Sequence, residues 1–171
     1  MALTLVRHTR PLGVDGLCYG ATEVDLAPGF EAEAGVIAAR LGRADRILTS
    51  PLGRCRRLAE RLGAMLGAPV IVADDWREMN FGAWEGRPWD AIPRAELDAW
   101  AADLLNARPH GGESVGHLLA RTRRALLQCG PGVTVAVTHA GVIRAALFDA
   151  SGDPAAWQRA IGFGEAVRLD R

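Results

Sequence analysis

The sequence predicts an α/β fold, a three-layer α/β/α sandwich around a largely parallel central sheet with helices on both faces. Two observations carry the prediction. Short β-branched runs alternate along the chain with segments of helical periodicity. Several of those runs are apolar throughout, as strands covered on both faces are. With no internal repeat, low-complexity tract or linker to divide it, the chain of 171 residues reads as one domain, 1–171.

The first strand is Leu3–Val6, in the stretch LTLVRHTRP, where Arg7-His8 follow the apolar run and Pro11 stops any continuation. Phe30, Ala34, Ile37, Ala38 and Leu41 then follow helical spacing. Arg46–Thr49 is the second strand. The next helix carries Leu52, Cys55, Leu58, Leu62 and Met65, with Ser50 as N-cap and Pro51 at its first position. Val70–Val72 is a third strand. A stripe of Leu97, Trp100, Ala101 and Leu104 precedes another of Val115, Leu118, Leu119, Thr122 and Leu126, which Gly130-Pro131 ends. Val133–Thr138 is the fourth strand, Gly141 to Ala150 a short helix, and Ala166–Leu169 a weaker last strand.

Composition excludes several classes of function. Hydrophobic residues make up 49% and charged residues 23%, which suits an ordinary globular protein. Twenty basic and twenty acidic residues cancel, so nothing points to nucleic acid or to a charged membrane. All the basic residues are arginine, which removes Schiff-base chemistry and a P-loop lysine. Cys18, Cys55 and Cys129 have neither disulfide nor metal spacing, so a reducing compartment is expected and no metal. No run reaches membrane-spanning length and no leader-like segment opens the chain, which makes the cytoplasm the expected location. Monomer and homodimer both stay open.

In open α/β sheets, ligands bind outside the carboxyl ends of the strands. That rim collects Arg7-His8, the Ser50–Arg54 stretch and Thr138–Gly141. Two arginines (Arg7, Arg54) and two histidines (His8, His139) around helix N-termini make an anion pocket suited to a phosphoryl group. A neutral histidine is also a nucleophile, and the departing oxygen then needs a proton donor. REMNFGAWEG offers two, Glu78 and Glu85.

LVRHT, SPLGR, EMNFGAWEG, GGES and VTHAG, in this order and spacing, resemble the histidine phosphatase superfamily, whose fold is phosphoglycerate-mutase-like. RHTRP, GLCYG and the FGAWEG-RPWDAI stretch most resemble its α-ribazole phosphatase branch. The resemblance implies that His8 takes the phosphoryl group, that Arg7, Arg54 and His139 hold phosphate, and that Glu78 acts as acid and then base. It implies no metal and no organic cofactor. Where the family commonly has glycine, this chain has Thr9 and Ala140. Thr9 is therefore a further candidate phosphate contact.

Bland readings stand beside these. Glu78 could pair with Arg77 or Arg87, and Glu85 is its competitor for the acid role. Glu113-Ser114 is either a substrate contact or only the cap of the next helix. Cys18, Tyr19, Trp84 and His110 are substrate walls or packing, whereas Trp100 and Trp157 read as core. The expected function is hydrolysis of a small-molecule phosphomonoester, α-ribazole 5'-phosphate among the candidates. The alternatives are mutase-type transfer, a broad or protein phosphohistidine phosphatase, and a non-enzymatic phosphate-ligand module.

Overall fold

The computed structural model describes residues 2–169 and contains five strands and five α-helices joined by short 3₁₀ turns. β1 (Ala2–Arg7), β2 (Arg46–Thr49), β3 (Val70–Val72), β4 (Val133–Thr138) and β5 (Ala166–Leu169) form one sheet in the order β3-β2-β4-β1-β5. Every pairing is parallel except β1 with β5. Four strands coincide with the sequence reading, and β1 runs one residue further at each end.

Helices cover both faces because side chains alternate along each strand. Val6, Ile47, Val135 and Val137 point toward α1 (Phe30–Leu41) and α2 (Gly53–Leu66), packing on Ile37, Leu58 and Leu62. Leu3, Leu5, Leu48 and Ala136 point the other way, toward α4 (Val115–Leu127) and α5 (Ala140–Ser151). β3 departs from the expectation of full burial: as an edge strand it leaves Ile71 and Val72 about half exposed.

The helix after β1 and the helix after β4 lie on opposite faces of two adjacent strands. A crevice therefore opens between the carboxyl ends of β1 and β4, the topological switch point of the sheet. The 75–114 region folds over that rim. It carries α3 (Arg94–Ala102), and its Trp84 and Ile92 form a small cluster with Cys18 from the loop after β1.

Three local expectations change. α2 begins at Gly53 with Leu52 as N-cap; Ser50 instead forms a turn in which its Oγ accepts the Leu52 N–H. α3 ends at Ala102 and buries none of its residues, so Leu104 lies beyond the helix. Trp100 and Trp157 are only half buried, each leaning on the core with one side. Ser114 caps α4, one of the two readings left open for it, accepting the His117 N–H.

Candidate active site

Strand register brings the two histidines together. Arg7 is paired with Thr138, so the next residues, His8 and His139, emerge side by side, and the His8 N–H donates to the Thr138 carbonyl at 3.0 Å. Their ring centroids are 5.3 Å apart. On the other flank Thr49 is level with Val137, which puts Ser50 within 2.9 Å of His139 Nε2.

His8 Nδ1 lies 2.7 Å from the Thr9 carbonyl oxygen. A carbonyl only accepts, so Nδ1 carries the proton and Nε2 keeps its lone pair. Burial, with the Arg54 guanidinium close by, lowers the His8 pKa from 6.5 to about 3. Burial and Arg54 also hold His139 well below its ordinary range, so both rings are neutral.

Arg7 and Arg54 are both anchored by carbonyls. Arg7 donates to Ile161 at 2.6 Å and stacks on the Phe163 ring at 3.8 Å. Arg54 donates to Thr22 and Gly20 at 2.8 and 2.6 Å. The Nε of each is buried without a hydrogen-bond partner, as is Thr9 Oγ1. Unpartnered buried guanidinium donors beside a cavity are what an anion site presents.

The two acid candidates separate cleanly. Glu78 lines the cavity with Arg7, His8 and Arg54. Its carboxylate accepts the N–H of Gly141 at 3.1 Å, at the start of α5, and that of Met79 at 3.0 Å. It pairs with neither Arg77, which meets Asp74, nor Arg87, which donates to the Ala91 carbonyl. Glu85 faces away and accepts the N–H groups of Gly20, Ala21, Thr22 and Phe81 and the Thr22 hydroxyl. Although burial opposes ionisation, those donors win, and the Glu85 pKa is lowered. Glu85 thus holds the very loop whose carbonyls hold Arg54. Gly20 is required there, because a Cβ would stand 1.8 Å from the Met79 carbonyl oxygen.

The cavity measures about 290 Å³. Its floor is the charged set, and its walls are Tyr19, Phe81, Trp89, Trp100 and Trp157 with several aliphatic residues. Arg144 adds a third guanidinium. Of the expected wall residues, only Tyr19 is there. Cys18 and Trp84 are fully buried beneath the wall, with Trp84 Nε1 bound to Glu96, and burial pushes the Cys18 thiol up to about 12. His110 packs on Trp84 and accepts the Gly112 N–H. Glu113 is held by Arg121. His139 and Thr9 lie behind His8 and do not line the cavity.

Sequence reasoning missed Ser50 as the partner of His139, Phe163 beneath Arg7, and the walls Trp89, Trp100 and Trp157. SPLGR contained Ser50, but capping was the simpler use for it. The tryptophans carried no signal, since periodicity does not separate a half-buried ring from a core one.

Fold and site together define an α/β protein with a cationic histidine pocket at the switch point of its sheet. The chain matches the histidine phosphatase superfamily (branch 1) over residues 3–167, and it belongs to that superfamily. It is similar in structure to the α-ribazole phosphatase of Shigella flexneri, with a TM-score of 0.86 and 26% identity, covering 99% of this chain and 90% of that one. A mycobacterial glucosyl-3-phosphoglycerate phosphatase gives a TM-score of 0.84 and 27% identity, over 98% and 88% of the two chains. In sequence the chain is 33% identical to a probable phosphoglycerate mutase of Photorhabdus laumondii over 116 residues, 64% of this chain and 54% of the relative. The chain spans about half the length of such curated relatives, 54% here and 40% for a Klebsiella pneumoniae counterpart. These neighbours are phosphatases and mutases by name, which supports an enzyme.

Proposed function

We propose that the protein is a phosphomonoester hydrolase that passes the phosphoryl group through His8. The observation that carries this reading is the His8 ring itself, its Nδ1 proton engaged by the Thr9 carbonyl at 2.7 Å. Nε2 is thereby left as a neutral nucleophile in the cavity that Arg7, Arg54 and Glu78 share.

Nε2 attacks phosphorus in line. A P–N bond forms as the bond from phosphorus to the alcohol oxygen breaks, and Glu78 delivers a proton to that oxygen. Arg7 and Arg54 balance charge on the equatorial oxygens, with their unpartnered Nε groups available as donors. His139, braced by Ser50, packs against the His8 ring from behind and helps fix its orientation. Glu78 then takes a proton from water, whose oxygen displaces His8 and releases inorganic phosphate.

The cavity also supports a reading of the alcohol. Aromatic walls suit a flat-ringed alcohol, and α-ribazole, the alcohol of α-ribazole 5'-phosphate, is such a compound.

Two measurements test the proposal. His8→Ala should abolish turnover while leaving the circular dichroism spectrum unchanged, and alkali-quenched wild type should carry an acid-labile phosphate on His8. A substrate panel spanning α-ribazole phosphate, sugar phosphates and phosphoglycerates should favour the aromatic alcohol and release inorganic phosphate. Full activity in His8→Ala sinks the mechanism; an isomerised phosphoglycerate without phosphate release selects the mutase.

A further inference from the structure

The segment that delivers Glu78 to the cavity has no regular structure beyond a short 3₁₀ turn at Asp74–Trp76, yet its backbone is pinned at successive carbonyls. Arg121, on α4, donates through Nη1 to the carbonyls of Asp75 and Arg77. Between them, the Trp76 carbonyl accepts the Thr138 hydroxyl at 2.7 Å. The same guanidinium grips Glu113 with its other edge, Nε to Oε1 at 2.7 Å and Nη2 to Oε2 at 2.9 Å. Glu113 closes the far end, since its N–H donates to the Asn80 carbonyl at 2.8 Å and its Oε2 accepts the Asn80 N–H.

This pair is no ordinary surface ion pair. The Arg121 and Glu113 side chains are only 12% and 18% exposed, whereas among the described residues six of the other nine pairs have both side chains above 40%. Only a planar fork can serve a bidentate carboxylate and two carbonyls at once; an ammonium lacks the geometry.

We infer that Arg121, with Glu113 as its counter-ion, is a positioning residue that sets where the Glu78 carboxylate stands. The clamp brackets residues 75–80 on both sides of Glu78 and touches neither the cavity nor the phosphoryl-binding groups. It rests on the reading of Glu78 as the general acid. A loop displaced by about 1 Å is enough to cost on the order of a hundredfold in a positioned proton transfer.

The test compares leaving groups. In Arg121→Lys, phosphorylation of His8 by an alkyl phosphate should slow by about ten- to a hundredfold. The p-nitrophenol burst from p-nitrophenyl phosphate should keep its rate within about threefold, because nitrophenolate departs without a proton. A residue of purely structural importance would slow both alike. Glu113→Gln should move in the same direction, and it carries the comparison if Arg121→Lys proves unfolded by circular dichroism. Placing Arg121→Lys on a Glu78→Gln background should add no further loss on the alkyl ester, since the clamp acts through Glu78. If Glu78→Gln shows the leaving-group dependence and Arg121→Lys does not, or if the two losses multiply, the clamp is overturned alone. If Glu78→Gln shows no such dependence, the acid assignment fails with it.

Discussion

Gly141→Ala should separate activity from stability. Gly141 is the second residue of α5, and its N–H donates to Glu78 Oε2 at 3.1 Å. A Cβ built there stands 2.3 Å from Glu78 Oε1 and 3.1 Å from the carboxyl carbon. Ordinary van der Waals contact requires the carboxylate to retreat by about 1 Å. The backbone does not resist, because Gly141 is absent from the positive-φ glycines and a helix accepts alanine. Alanine gains up to about 1 kcal/mol of helix propensity, while a hydrogen bond to a charged group worth about 1.5–3 kcal/mol is weakened and partly replaced by water in the open cavity. Net stability should therefore shift by no more than about 1–2 kcal/mol. A proton donor misplaced by that distance should slow His8 phosphorylation by alkyl phosphates about a hundredfold. Stopped-flow bursts with p-nitrophenyl phosphate, single-turnover phosphate release from an alkyl ester, and urea midpoints measure the three quantities. An alanine variant that turns over the alkyl ester within twofold of wild type would refute the placement of Glu78 as acid.

Glu85→Gln should lower stability by about 1–3 kcal/mol, because it weakens a carboxylate that accepts four backbone N–H groups. Urea midpoints read the loss, and alkyl and nitrophenyl esters should be affected alike. Acid should destabilise the fold through His8: native His8 titrates at about 3 against 6.5 unfolded, so between those values only the unfolded chain takes the proton. Stability therefore falls as pH drops from 6.5 toward 3, and His8→Asn should flatten that slope by about 1.4 kcal/mol per pH unit, read from urea midpoints at pH 4, 5 and 6. Chelation should leave turnover unchanged, because guanidiniums supply the positive charge at the cavity floor; activity lost to EDTA and restored by Mg²⁺ or Zn²⁺ would count against the mechanism.

The sequence by itself determined the sheet. Val133–Thr138 and Arg46–Thr49 are β-branched or apolar runs between turn residues, so local pattern and tertiary burial agree on them. It also brought Arg7, His8 and Arg54 to one rim through their places after strand ends, although His139, grouped with them, lies behind His8. Only the tertiary structure decided which side of each loop faces the cavity. Glu78 and Glu85 lie in one glycine-rich stretch without helical or strand period, so nothing in their spacing says that one meets Gly141 and the other Thr22. Trp84 and Trp89, five residues apart, divide in the same way into buried packing and cavity wall. Arg121 and the backbone of Asp75 and Arg77 are more than forty residues apart and meet only because α4 packs beneath the loop. Periodicity reports which face of a regular element is apolar. In irregular segments the direction of a side chain is set by long-range hydrogen bonds, and those exist only once the sheet and its helices are in place.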